Sequence, residues 1–182
     1  IVGAFPKKNK IIYGGILKSC NIILKSVISR EYEIITVNSC QISNPPPNIF
    51  IRSLLAFKRI IDLLIKLISN RPDVSLIFSS EGASALEKGV MILVCGFFKC
   101  KTLIFPRAGK LIDQVENSKL MYIMIRFLYS KSTIFLCQGK KWEYFALNIL
   151  KIQKNKVKIL NNWTATDELI KIGELRKYDK DA

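Results

Sequence analysis

The chain has 182 residues, 49% of them hydrophobic, enough to bury a core without disulfides or a structural metal. Its 29 basic residues against 14 acidic ones leave a net charge of +15, which favours anionic partners such as nucleotide phosphate, nucleic acid or acidic lipid headgroups, although a composition rich in Lys, Ile and Asn accounts for the surplus equally well. The absence of histidine excludes the commonest general base and metal ligand, and the five scattered cysteines (Cys20, Cys40, Cys95, Cys100, Cys137) lack the spacing of a zinc site, so no metal is expected and a reducing compartment is.

Ile1–Phe5 predicts a first strand, closed by Pro6, and not a secretory leader; without an initiator methionine, the chain reads as one whose first residues have been lost. Lys7–Tyr13 is a basic loop ending on Gly14-Gly15. Ile16, Leu17, Cys20, Ile23, Leu24, Val27 and Ile28 recur with the helix period as far as Ser29, and Tyr32–Val37 alternates as a strand does. Asn44-Pro45-Pro46-Pro47 is a breaker. Ile49–Ser69 predicts a long helix, apolar around most of its circumference, on which Arg52, Arg59 and Lys66 share one narrow stripe. Asn70–Asp73 stops that helix before a buried-type strand, Val74–Phe78.

Ser79-Ser80-Glu81-Gly82 then opens a helix from Ala83 to Phe98, and Lys101–Phe105 is a strand stopped by Pro106. A loop carrying Arg107, Lys110 and Asp113 precedes a helix from Glu116 to Tyr129. Ser132–Cys137 is a strand ending at Gln138-Gly139, Lys140–Leu150 is a helix, and the turn Gln153–Lys156 leads through the strand Val157–Leu160 into Asn161-Asn162-Trp163. Thr166–Leu169 begins a last short helix, and Lys177–Ala182 is a charged end. Gly89–Phe98, the longest uncharged apolar run, falls short of the ~20 residues that span a bilayer.

Six strands alternating with helices over short links form the pattern of an α/β protein with a parallel doubly wound sheet and helices on both faces. Such sheets bind ligands at the carboxyl ends of their strands, which singles out several groups. Gly14-Gly15 at the start of a helix suits a phosphate or a plain tight turn. Ser80 and Glu81 suit a ligand contact or a helix cap. Arg107 and Lys110, on a glycine-containing loop, suit an anionic or polyhydroxyl ligand or open solvent. Gln138 is a ligand contact or a cap, and Asn161-Asn162 a turn closed by its own side chains. The Arg52/Arg59/Lys66 stripe suits an anionic membrane surface or the solvated edge of a core helix. Most aromatics fall inside apolar runs and not among the cations, so stacking on nucleic acid is not expected.

Together the first strand, basic loop, Gly14-Gly15 and helix resemble the opening of family 4 retaining glycosyltransferases. The segment from Phe135-Leu-Cys-Gln138 to Lys156-Val-Lys-Ile-Leu-Asn161-Asn162-Trp163 is similar to the end of that family's amino-terminal Rossmann-like domain, with Asn161-Asn162 where the family usually has Asn-Gly. The resemblance implies one half of a GT-B fold: residues 1–165 as the acceptor-binding domain and 166–182 as the start of a connection to a donor-binding domain. It implies transfer of a sugar, with retention, from a nucleotide-sugar donor to a lipid-linked or polysaccharide acceptor in cell-envelope polysaccharide synthesis. Gly14 and Gly15 then approach the donor phosphates, while Ser80, Glu81, Arg107, Lys110 and Gln138 face the acceptor. Arg107 replaces, as an electrostatic stabiliser, the histidine that many relatives carry nearby. No glutamate here has a partner seven residues away, as the family's donor domain does, so the donor half is expected downstream or on a separate polypeptide, and this chain alone is not expected to transfer sugar efficiently. The expected location is cytoplasmic, at the inner face of the cell membrane. The other reading left open is a non-catalytic basic Rossmann-like module that grips nucleotide or nucleic acid.

Overall fold

The computed structural model describes residues 1–5, 14–40, 43, 47–161 and 171–172. The basic loop at 7–13, the breaker residues 44–46, Asn162, Trp163, the short helix begun at 166–169 and the charged end at 177–182 lie outside the described residues. One six-stranded sheet runs in the order β2-β1-β3-β4-β5-β6, where β1 is Val2–Gly3, β2 Val37–Asn38, β3 Val74–Ser79, β4 Lys101–Pro106, β5 Ile134–Cys137 and β6 Val157–Ile159. Every pairing is parallel. The fold is therefore the parallel α/β Rossmann-like sheet that the alternation of elements predicts. The chain steps from β1 outward to β2 and then builds β3 to β6 on the other side, which makes the β1/β3 boundary the switch point.

The strands divide their side chains by the two-residue period. Ile77, Ile104 and Phe135 enter the larger core, while Phe78, Phe105 and Leu136 enter a smaller one with Cys20 and Ile23 of α1 (Gly15–Lys25). The larger core is closed by α3 (Ile49–Asn70), α4 (Ala83–Phe97), α5 (Lys110–Asn117), α6 (Lys119–Tyr129) and α7 (Lys140–Tyr144) with the π-helical turn Phe145–Ile149 that continues it. At the α4–α6 crossing, a Cβ on Gly89 would sit 2.6 Å from Leu128 Cδ1 and 2.7 Å from its Cβ. Only glycine lets these helices approach so closely. Gly89→Ala is expected to destabilise the protein by about 1–3 kcal/mol in urea denaturation, because the clash falls on the Cβ of Leu128 as well as on its tip, so a change of rotamer alone cannot relieve it.

Several boundaries differ from the sequence expectation for identifiable reasons. The strand expected over Tyr32–Val37 shrinks to Val37–Asn38, since α2 (Ile28–Glu31) ends just before it and β2 is an edge strand with β1 alone to pair. The loop expected to hold Arg107, Lys110 and Asp113 turns helical at Lys110, because Leu111, Ile112 and Val115 all bury on one side. The helix expected from Glu116 to Tyr129 is broken at Ser118, whose backbone is extended and whose Oγ accepts from Met121 N at 3.3 Å to cap α6. At the start of α3, Asn48 Oδ1 accepts from Ile51 N at 3.0 Å. Arg71, in the left-handed region at φ 46°, ends that helix before Pro72.

Candidate functional site

Because all six strands are parallel, the loops after β1, β3, β4 and β5 share one edge of the sheet. At the switch point on that edge lies a cleft of about 830 Å³. Gly14 and Gly15 form part of its wall, and Ser80 and Glu81 stand across from them after β3. The amino-terminal half of α3 closes a third side with Arg52, Ser53, Ala56 and Arg59. A smaller concavity of about 310 Å³, lined by Leu67, Ile68, Arg71, Pro72 and Phe98, lies at the amino ends of the strands, away from these loops.

The geometry removes the bland alternative for Ser80. The residue that caps α4 is Gly82, at φ 56°, which glycine alone adopts without strain, and no side chain caps the helix. Gly82 N instead donates to Gln114 Oε1 of α5 at 2.7 Å, so Gln114 fixes the β3–α4 loop from behind while Ser80 and Glu81 face the cleft. Ser79, fully buried beneath them, shares a 2.5 Å hydrogen bond with the Tyr129 hydroxyl. Tyr129 also reaches Ala85 O, and its burial raises the phenol pKa well above its usual value, only partly opposed by Ser79. The loop is thus pinned at both its base and its back.

A cluster of charges, of which the sequence reading singled out only Arg59 and that for a membrane surface, forms the inner wall. Arg59 donates from Nε and Nη2 to the two carboxylate oxygens of Glu87, each at 2.7 Å, and Lys88 Nζ donates to Glu87 Oε1 at 2.9 Å. Glu87 and Lys88 are buried, at 8% and 3% exposure. Burial alone would raise the Glu87 carboxyl, but the Arg59 hydrogen bonds and the Lys88 charge outweigh it and hold the group below its usual range. Lys88 is lowered, because the desolvation of its ammonium exceeds what one shared carboxylate restores. Two cations on one carboxylate leave an excess of positive charge, and Arg52 adds to it at the cleft. A sequence signal for this cluster exists: Glu87-Lys88 is the sole charged pair in an otherwise uncharged helix.

The stripe Arg52, Arg59 and Lys66 does not present three cations to an outside surface. Arg59 turns inward to Glu87, and Lys66 donates to Thr36 O at 2.6 Å and to Asp62 at 2.7 Å, tying α3 to the chain leading into β2. Arg52 is exposed and lines the cleft. The side of α3 that faces outward is instead apolar.

The remaining predicted residues sit on the same edge, at the next two strand ends, outside the lining of the cleft. Arg107 lies half-buried with its guanidinium 5.0 Å above the Phe105 ring, and its backbone N donates to Ser79 O at 2.8 Å. Burial lowers its pKa, but a guanidinium stays charged at any physiological pH. Gln138 Nε2 donates to Pro106 O at 2.8 Å, so its amide stitches the β5 and β4 loops together. Lys110 is exposed on the first turn of α5, and Asn161 follows β6. The five cysteines are free thiols; Cys95 and Cys137 are pushed up to about 12 by burial, as inert apolar packing groups are. Among the described residues no cluster of Cys, Asp or Glu is arranged to hold a metal ion. Comparison of the chain with protein-family models, with curated proteins and with solved structures gives no match in any of the three.

Proposed function

We propose that this chain is the acceptor-side domain of a retaining glycosyltransferase of GT-B architecture, which moves a sugar from a nucleotide-sugar donor to a lipid-linked or polysaccharide acceptor. The donor-binding half belongs to a second domain, in the same polypeptide or another. One observation carries the reading: the switch-point cleft gathers Gly14, Gly15, Ser80 and Glu81 against Arg52 and Arg59, at the site where parallel sheets bind phosphorylated ligands. In this scheme the backbone at Gly14-Gly15 approaches the donor diphosphate. Ser80 and Glu81 hydrogen-bond acceptor hydroxyls, with Lys110 and Gln138 extending the acceptor surface along the rim. Arg107, at the next strand end beside the cleft, would act on the charge that builds on the leaving diphosphate; stacking on Phe105 holds it in place, and its permanent charge acts without a proton transfer. Reaction with retention needs no histidine base in this arrangement, since the leaving phosphate itself can take the acceptor proton.

The full-length protein together with its donor-binding half, co-expressed where that half is a separate polypeptide, is expected to yield a labelled product of retained anomeric configuration when incubated with a panel of radiolabelled nucleotide sugars and membrane lipid extract. Arg107→Ala should lower that transfer by roughly 100-fold with Arg107→Lys intermediate. Absence of transfer with every donor, together with nucleotide or RNA binding that weakens steeply with salt, would replace this reading by the non-catalytic binding module.

A further inference from the structure

We infer that the outward face of α3 seats the protein on an anionic lipid bilayer, lying along its surface without crossing it. Phe50, Leu54, Phe57, Ile61, Ile65 and Ile68 follow one another at spacings of four, three, four, four and three residues, so they form a single stripe. Each is between 38% and 78% exposed. The stripe runs for about 27 Å of helix with no charge in it. Buried core explains none of these six side chains, because the sheet-facing side of the same helix is supplied by Leu63 and Leu67. Exposed apolar side chains also occur on two other helices of that layer, where Phe97 of α4 is 83% exposed and Phe127 of α6 lies open beneath Lys131. An exposed apolar stripe of this length marks a docking surface.

Charge selects the occupant. A second copy of the chain would bring its own +15 to the contact and be repelled, whereas an anionic bilayer is attracted by the same surplus. Lys66 already pairs with Asp62, the one acid of α3, and Arg59 with Glu87, so the cations left to a bilayer are Arg52 and Lys58, and exposed Lys58 borders the apolar stripe where headgroup phosphates would lie. No helix among the described residues is long and apolar enough to cross a membrane, so α3 rests in the interfacial plane. Phe57 belongs both to the stripe and to the cleft wall, so the cleft opens beside the docking face. This inference goes beyond the sugar-transfer reading and does not require it.

Sedimentation of the full-length protein with vesicles tests it, using phosphatidylcholine alone against phosphatidylcholine mixed with phosphatidylglycerol. Wild type is expected to pellet with the mixed vesicles and to be released by high salt. Ile61→Glu/Ile65→Glu should lower vesicle affinity by more than about tenfold, and Lys58→Glu by a few-fold, with unchanged circular dichroism in both. Wild type left in the supernatant, a double variant that pellets as wild type does, or a double variant that converts a dimer to a monomer in light scattering would each overturn the bilayer assignment. Transfer to a water-soluble acceptor by the same double variant separates loss of docking from loss of the sugar-transfer site.

Discussion

Glu87→Ala is expected to cost about 3 kcal/mol of stability, the lower end of the range for breaking a buried ion pair. At the size of this chain that corresponds to a fall in Tm of roughly 6–12 °C. The reason lies with Lys88 more than with Arg59. Arg59, whose side chain is 20% exposed, can turn toward the cleft and recover water, but the Lys88 side chain is 4% exposed and has no route out. Its ammonium would remain in the interior without a counter-ion. Replacing both members, as Glu87→Leu with Lys88→Met, removes the uncompensated charge and should recover most of the loss in the same urea titration. If the single and double variants unfold at the same denaturant concentration, the buried-charge account fails.

The same carboxylate sets a pH dependence. Its folded-state pKa lies below the reference value of 4.5, so its contribution to stability is complete above that value and is lost as pH falls through the folded pKa. Wild type should therefore lose stability on acidification below about pH 4.5, and Glu87→Gln should flatten that limb of the profile. The amide keeps the shape but removes both the titration and the counter-charge of Arg59 and Lys88, so Glu87→Gln should start from a lower stability at neutral pH, and the difference from wild type should shrink as pH falls.

The Glu87 cluster also explains why the long helix reads one way in sequence and another in space. Periodicity states which residues of α3 share a stripe, and it does so correctly for Arg52, Arg59 and Lys66. It does not state which stripe turns to the protein. A helix apolar around most of its circumference can bury either side; here Leu63 and Leu67 enter the core and Arg59 meets a carboxylate 28 residues further along the chain. The strands were far more legible. Leu76-Ile77-Phe78 and Leu103-Ile104-Phe105 are continuous apolar runs because both faces of a central parallel strand are covered. Strand β2 was less so, since an edge strand of two paired residues has little composition to declare. The candidate site divides in the same manner. Gly14, Gly15, Ser80 and Glu81 follow from strand ends alone, whereas Gln114 and Tyr129 act on the β3–α4 loop from α5 and α6, and no local pattern announces a contact made 32 or 50 residues away.

Substituting Gly15 is expected to separate function from folding more sharply than any other single change. Among the described residues, a Cβ at Gly14 or Gly15 would meet nothing within 4 Å, and the Gly14 backbone at φ 166° is extended, a conformation any residue adopts. Nothing inside the described chain therefore demands glycine at either position. Gly3 differs: a Cβ there would fall 2.5 Å from Cys20 Sγ and 3.3 Å from Phe78, so Gly3→Ala should destabilise the fold through overpacking. Gly15→Leu should leave stability unchanged or raise it by up to about 1 kcal/mol, because glycine in a helix is costly. Its side chain would project into the space where the proposed donor phosphate would meet the first N–H groups of α1, and on the sugar-transfer proposal the rate should fall by roughly 100-fold, as when an oxyanion donor is lost. Denaturation curves and initial transfer rates on the same preparation decide the matter. A Gly15→Leu protein that folds and transfers as wild type does would remove the phosphate from this loop, and with it the reason for two adjacent glycines at the mouth of the cleft.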